Sequence, residues 1–274
     1  MTDVSIIIVN YNSKDYLFKC VQSIISNVKL NYEIIIVDNN SVDNSIELVK
    51  NQLPVDKIIF ILLKENIGFA KANNLGVKYA KGNIIHFLNP DTEININQNQ
   101  SYLQAINDSE VLNSLYVDSI INPKGKLEFH RQNIPLLKNY VNVLLRKKTY
   151  IWYTGISLFL HRNVLELIGF WSDDYFMYAE DIDFFYRAQL LNINIKTVDS
   201  TIIHYGQICS KSVWDNFNRK KFVEISLKKF CLKYSSIYSY YILKFLMLFY
   251  SFFKNPREII LELRVMCFII FKKV

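Results

Sequence analysis

From Val4 to Val9 the chain reads VSIIIV, a β-branched run without the polar alternation of a half-buried strand, the pattern of a strand covered on both faces in a parallel sheet. Asp15 to Ser26 then follows helical spacing, and Glu33 to Val37 is a second apolar run. Ser41 to Gln52 predicts a second helix, Lys57 to Leu63 a third strand, and Phe69 to Lys81 a third helix that Gly82 is placed to end in a left-handed conformation. Ile84 to Leu88 is a fourth strand; further on, Ile195 to Ile203 predicts another strand, and Ile182, Phe185, Ala188 and Leu191 a helix. Strands alternating with helices imply a layered α/β domain with a mostly parallel central sheet flanked by helices.

Each of the first four strands ends in a polar cluster: Asn10-Tyr11-Asn12, Asp38-Asn39-Asn40-Ser41, Glu65-Asn66 and Asn89-Pro90-Asp91-Thr92. Any one of them is ordinary turn chemistry. Four on the carboxyl edge of a sheet exceed what turns require, and that edge is where open α/β sheets bind ligands. Neither GxGxxG nor GxxxxGK[ST] occurs, so the common glycine-rich phosphate cradles are missing. A divalent metal is the natural substitute, with Asp91 as a hard oxygen ligand.

With 51% apolar residues in 274, a disordered chain is excluded. The net charge of +7 is unevenly placed: residues 217–274 hold 12 Lys/Arg against 3 Asp/Glu, while residues 1–216 hold 20 against 22. The chain therefore divides by composition into a body, 1–216, and a basic, apolar helical tail, 217–274. Arg219 to Tyr234 places Val223, Leu227, Phe230 and Tyr234 at helical spacing beside six Lys/Arg, a basic amphipathic helix. Ile237 to Phe253 is almost wholly apolar but short of the roughly 20 residues of a membrane span, and it carries Lys244. Asn255-Pro256 restarts a helix, with Asn255 as cap. The tail packs on the body or attaches peripherally to a membrane surface; clustered Lys/Arg beside aromatic residues favour the second. Nucleic acid is disfavoured as a partner, because the charge travels with apolar helices. Cysteines 20, 209, 231 and 267 have neither metal spacing nor disulfide density, which points to a reducing compartment, and no export leader is visible.

Five segments, taken in order, resemble the family 2 glycosyltransferases of the GT-A fold, with a pattern close to the bacterial rhamnosyltransferase-like members. They are VSIIIVNYN (4–12), EIIIVDNNSVDNS (33–45), ENIGFAKANNLGVKYAKGNIIHFLNPDTEI (65–94), GISLFLHRNVLELIGFWSDDYFMYAEDIDFFYRA (155–188) and HYGQICSKS (204–212). Six of the seven glycines lie inside them, and Gly125, in NPKGKL, sits in a hairpin-like stretch that also resembles the family.

The resemblance implies an enzyme that moves a sugar from a dTDP-, UDP- or GDP-linked donor to a hydroxyl of a glycan acceptor. It assigns Asn10, Tyr11, Asp38, Asn66, Asn74, Asn89 and Asp91 to the donor, and Asp91 with His204 to a Mn²⁺ or Mg²⁺ ion. Asn89-Pro90-Asp91 occupies the family's Asp-x-Asp site, with asparagine in place of the first acid. Asp181 is implied as the base that takes the acceptor proton, kept ionised by a helix N-terminus. Glu180 and Trp171 are assigned to the acceptor, Trp171 being either a stacking wall or a core aromatic, and Arg131 to the acceptor or its phosphate. Asp173, Asp174 and Arg187 read as structural, the arginine as a partner for Glu180 or Asp183. The segment from Gln98 to Tyr150 is shorter than in many relatives, implying a reduced lid. Together with the basic tail, the resemblance implies a lipid-linked glycan acceptor and a place on the cytoplasmic face of a bacterial inner membrane, in surface polysaccharide assembly. The alternative is a catalytically inactive, membrane-associated partner that binds nucleotide or glycan.

Overall fold

The computed structural model describes residues 2–128, 131–206, 215–254 and 256–271. The chain begins β1 (Val4–Asn10), α1 (Asp15–Asn27), β2 (Tyr32–Asp38), α2 (Ser45–Gln52), β3 (Ile58–Leu62), α3 (Phe69–Tyr79) and β4 (Ile84–Leu88). A two-residue β5 (Thr92–Glu93), α4 (Gln98–Asn107), β6 (Ser114–Ile121), β7 (Arg131–Asn133), α5 (Leu137–Leu144) and β8 (Ile151–Tyr153) follow. Then come β9 (Ser157–His161), α6 (Arg162–Ile168), α7 (Glu180–Leu190) and β10 (Asn194–His204), and three tail helices, α8 (Asn216–Tyr234), α9 (Ile237–Lys254) and α10 (Pro256–Phe271).

Eight strands form one sheet in the order β3-β2-β1-β4-β9-β6-β10-β5, and β7 pairs with β8 in a small second sheet. The β3-β2-β1-β4 half is parallel; β9 runs antiparallel to both β4 and β6. The lack of alternation in VSIIIV is explained by burial on both faces: Ile6 and Ile8 meet Leu17, Cys20, Val21 and Ile24 of α1, whereas Ile7 and Val9 meet Ala70, Ala72 and Val77 of α3. The four parallel strands bring their polar carboxyl ends to one edge.

Two helix boundaries differ from expectation. α2 begins at Ser45, because the preceding residues fold back onto Asp38, whose carboxylate accepts from the Ser41 amide at 3.0 Å and its hydroxyl at 2.6 Å. α3 ends at Tyr79 with Ala80 extended, and Gly82 is not left-handed. Its glycine serves a close approach, since a Cβ there would stand 2.6 Å from the Ser5 amide nitrogen. Gly125 does turn a hairpin, at φ 75° between Asn122 and Lys126.

The change of composition at residue 217 coincides with α8, yet α8 is packed on the body. Phe230 is fully buried among Ile134, Leu136, Tyr175, Ala179 and Ile182. The Ser226 hydroxyl donates to the Met177 carbonyl at 2.8 Å, and Lys229 and Lys233 donate to Asp174 at 3.1 and 2.8 Å. Phe230, Lys229 and Lys233 of this helix thus face the body rather than a membrane. Lys244, the charge inside the apolar run, is buried against Glu224 at 2.5 Å, and Tyr240 donates to the same carboxylate at 2.9 Å. Among the described residues no helix is long and apolar enough to cross a membrane. The expected cap Asn255 lies outside the described residues, as do 207–212 of the HYGQICSKS segment.

Candidate active site

A cavity of about 600 Å³ opens at the carboxyl edge of the parallel strands. Tyr11, Asn39, Asn66 and Gly68 line one part of it, Asn89, Asp91 and His204 another, and Thr154, Gly155, Glu180 and Asp181 a third. A shallower depression along α4, with Lys29, Asn97 and Gln100 on its wall, contains neither a carboxylate nor a histidine.

Asp91 and His204, far apart in sequence, are brought together by a short ladder. β5 follows Asp91 at once and pairs antiparallel with the end of β10, Thr92 opposite His204 and Glu93 opposite Ile203. The Tyr205 amide then donates to the Asp91 carbonyl at 3.0 Å. His204 Nε2 consequently lies 3.5 Å from Asp91 Oδ2, while its Nδ1 meets Glu128 Oε2 at 2.9 Å. Burial alone would depress the imidazole, but the hydrogen bonds and charges of Asp91 and Glu128 outweigh it and the net shift is upward. Among the described residues no three His, Cys, Asp or Glu side chains are arranged to hold a metal. An acid oxygen and an imidazole nitrogen at that spacing nevertheless suit a divalent ion that takes its remaining ligands from phosphate and water.

Across the cavity Tyr178 and Ala179, at φ 66° and 64°, turn the chain into α7 so that its first residues, Glu180 and Asp181, stand on the wall. Asp181 accepts from the amides of Gly155 and Ile182 at 3.2 and 2.8 Å. Those donors stabilise the carboxylate as expected of a helix start, but burial is the larger effect and pushes its pKa up to about 6. Asp181 is therefore a stronger base than a free aspartate and still mainly ionised at pH 7. Burial, and then the neighbouring Asp181 charge, push Glu180 well above the ordinary glutamate range. Three buried polar atoms on the cavity wall, Asn89 Oδ1, Thr154 Oγ1 and Glu180 Oε2, have no hydrogen-bond partner.

Several expected site residues stand behind the wall. Asn10 is fully buried, and its amide donates to Asp38 at 2.7 Å and to Ser45 at 2.8 Å, so it braces Asp38 and the loop after it. Asp38, held by Asn10 and Ser41, is likewise off the wall, where Asn39 stands instead. Asn74 spends its amide on the Trp171 backbone in both directions, at 2.8 and 3.1 Å, and on Asp173. Trp171 is 2% exposed, stacked on Phe184 at 4.7 Å and edged by Phe87 at 5.2 Å. It is a core residue, because the large indole fills the space between α7 and the sheet, and no acceptor can stack on it. Trp152 of β8 lines the cavity in its place. Arg131 is exposed on β7, whereas its neighbours Gln132 and Asn133 face the cavity. Arg187 pairs with Asp183 at 2.6 Å, not with Glu180.

The sequence reading missed Glu128, Trp152 and the aliphatic contributions of Val223, Leu227 and Met247 to the cavity. Trp152 lies in a stretch without pattern, and Glu128 has no motif around it. The tail residues carried a usable signal, apolar spacing, which fits a cavity wall as well as a lipid-facing helix.

A curled α/β sheet with a ligand cavity at this edge is the GT-A arrangement. The chain aligns with the structure of GalNAc-T7 bound to UDP, GalNAc and Mn²⁺ at a TM-score of 0.58 and 17% identity, over 81% of this chain and 48% of that one, a likeness of fold. The family model described as glycosyl transferase family 2 matches residues 5–172, and the chain belongs to that family. Among relatives, the low-salt glycan biosynthesis hexosyltransferase Agl10 of Haloferax volcanii is 33% identical over 210 residues, 71% of this chain and 64% of that protein. The UDP-Glc:α-D-GlcNAc-diphosphoundecaprenol β-1,3-glucosyltransferase WfaP of Escherichia coli is 41% identical over 88 residues, 32% of this chain and 35% of that protein. The chain spans less than two-thirds of the length of these relatives.

Proposed function

We propose that this protein transfers a sugar, with inversion, from a nucleoside diphosphate to a hydroxyl of a glycan acceptor. The observation that carries the reading is the convergence on one cavity of the Asp91–His204 pair and the Glu180–Asp181 pair. The carboxylates on its wall are Asp91, Glu180 and Asp181. Asp91 is engaged with His204, and Asp181, held at the start of α7 by the Gly155 and Ile182 amides, is the acid we assign as the base. An inverting transfer needs one base to take the acceptor proton as the new bond forms, and Asp181 suits it. Glu180 and Asn89 on the wall are the polar residues we assign to the sugar and the ribose. Tyr11, Asn39 and Asn66 are placed to meet the nucleoside, with Asn10 and Asp38 fixing their loops and Asn74 fixing the loop that carries Asp173. Asp91 and His204 would hold a Mn²⁺ or Mg²⁺ ion, which when bound offsets the charge of the leaving diphosphate.

The family pattern keeps dTDP-, UDP- and GDP-sugars all in view, with a rhamnosyl-type deoxysugar among them. The name of the Escherichia coli relative, a diphosphoundecaprenol-linked acceptor, supports a lipid-linked glycan and a role in surface polysaccharide assembly. The basic tail supports peripheral attachment at the cytoplasmic face of a bacterial inner membrane.

The test is a thermal-shift panel of UDP-, GDP- and dTDP-sugars with Mn²⁺, followed by release of the nucleoside diphosphate from any donor that stabilises the protein. Stabilisation with turnover supports the reading. Stabilisation without turnover, with every acceptor tried, would favour an inactive binding partner, and no stabilisation by any donor would overturn the proposal.

A further inference from the structure

We infer that α9 is the face by which this protein lies on an anionic lipid surface, a deepening that rests on the membrane-associated reading above. α9 is apolar on two sides. Tyr240, Leu243 and Lys244 face inward, 2%, 6% and 3% exposed. Tyr238, Tyr241, Ile242, Phe245 and Leu246 are exposed at 76%, 36%, 45%, 68% and 51%, and their spacing sets them on one side of the helix. A contiguous apolar stripe of this kind marks a contact surface.

Charge chooses the occupant. No carboxylate occurs between Ile237 and Lys254, and residues 217–274 carry 12 Lys/Arg against 3 Asp/Glu. Glu224 pairs with Lys244 at 2.5 Å and Glu262 with Lys220 at 3.6 Å, while Lys233 pairs with Asp174 and Asp183 of the body at 2.8 and 3.0 Å, which leaves a smaller positive excess. A second copy would bring the same positive excess against the first, whereas anionic headgroups are drawn to it. The aromatic rings suit the level of the headgroups, and no helix is long enough to span among the described residues, so α9 lies along the surface.

The side of α9 opposite the stripe reaches the cavity. Met247, spaced with the inward-facing Tyr240, Leu243 and Lys244, lines the cavity together with Val223 and Leu227 of α8. Three apolar side chains on this part of the cavity wall suit the hydrocarbon next to a lipid-linked head group.

The experiment is co-sedimentation of the full chain with vesicles of phosphatidylglycerol and phosphatidylethanolamine, and with phosphatidylcholine vesicles as the uncharged control. The wild type should bind the anionic vesicles, and Ile242→Glu/Phe245→Glu should weaken partitioning by about tenfold or more. The melting temperature and its rise with sugar nucleotide should stay as in the wild type. Tyr238→Glu, at the most exposed position of the stripe, carries the test if the double variant fails to fold. Equal binding by wild type and variant, no binding by the wild type, or a dimer that the substitutions dissociate without altering vesicle binding would each overturn the inference. The readout involves no sugar transfer, so its failure is separate from failure of the enzymatic reading.

Discussion

The Tyr234 hydroxyl donates to Asp183 Oδ1 across 2.8 Å, so a carboxylate two residues beyond Asp181 ties α7 to the tail helix α8. Asp183 is fully buried and also receives Arg187 at 2.6 Å and Lys233 at 3.0 Å. The wall that carries Glu180 and Asp181 is thus held from behind by residues 233 and 234. Tyr234→Phe removes one hydrogen bond to a charged group and should lower stability by about 1.5–3 kcal/mol, read as a lower urea midpoint at unchanged slope. Turnover should fall more than donor affinity, because the donor side of the cavity is built by other elements. A variant with wild-type stability would mean that α8 is only loosely applied to the body.

Asp181→Asn keeps the shape of the side chain and an oxygen for the Gly155 amide but removes the proton acceptor. Transfer should fall by about 10²–10⁴-fold, while stabilisation by the sugar nucleotide persists. In the wild type the base must be ionised, and its folded pKa is raised to about 6. The rate should therefore decline as pH falls through about 6 and level off above 7. A rate that stays flat down to pH 5 would remove Asp181 from the chemistry.

The parallel half of the sheet was legible because strands buried on both faces cannot hide their apolar runs. Asp91, His204, Glu180 and Asp181 were legible through the family resemblance, and the pairing of β5 with β10 supplies the physical reason that the first two meet. What failed was the division between wall and support. Asn10, Asp38 and Asn74 are polar residues at strand or loop ends, as ligand contacts are, but their hydrogen-bonding groups are spent on neighbouring loops. Nothing in the sequence separates those two uses of an asparagine. Trp171 failed for a related reason: an aromatic ring stacks as readily on Phe184 as on a sugar. In the tail, the basic charge was visible but its partners Asp174, Asp183 and Glu262 were not, since they come from other helices or loops.

Glu128 acts on the site through His204. Its Oε2 takes the Nδ1 side of the ring at 2.9 Å, which fixes Nε2 toward Asp91. Such an outer carboxylate commonly contributes 10–100-fold to metal affinity, so Glu128→Ala should weaken Mn²⁺ binding by about that factor in calorimetry without donor, and Glu128→Gln by less. A neutral amide that still accepts from the ring would leave a smaller loss, and Glu128→Ala the full one. Equal Mn²⁺ affinity in all three proteins would show that His204 needs no orienting partner.

Gly68 stands at φ 87° on the cavity wall, and a Cβ there would come within 2.5 Å of the Phe176 carbonyl oxygen. The Phe69 amide donates to that same oxygen at 3.1 Å, joining the start of α3 to the loop before α7. Gly68→Ala must move one of the two segments. It should destabilise by roughly 1–3 kcal/mol from the backbone conformation alone, with the collision adding to that. Donor stabilisation should drop with it, since Asn66 and Tyr178 share the junction. A fully stable, donor-binding Gly68→Ala protein would show that the junction is pliable.

Beneath the site a buried network links four strands: His86 meets Tyr102 at 2.6 Å and Ser157 at 2.8 Å, and Ser157 and Ser200 both donate to Asp118. Burial raises Asp118 to about 6 and lowers His86 to about 3. For the aspartate, the folded state takes a proton before the unfolded chain does, so stability rises as pH falls from about 6 toward the ordinary carboxylate value near 4. For the histidine the sign is opposite: below about 6.5 the unfolded chain takes a proton that the folded one refuses, and stability falls. Near pH 5 each state of the pair binds one proton and the two slopes cancel. Asp118→Asn, an isosteric change that Ser157 and Ser200 can accommodate by rotating their hydroxyls, leaves the histidine slope alone. Relative to the wild type, the variant should lose up to about 1.4 kcal/mol per pH unit between pH 6 and 4. Every other titrating group contributes to both proteins and drops out of the difference. Urea midpoints at pH 4, 5, 6 and 7 give the two curves, and parallel curves would mean that Asp118 is ionised in the folded protein throughout that range.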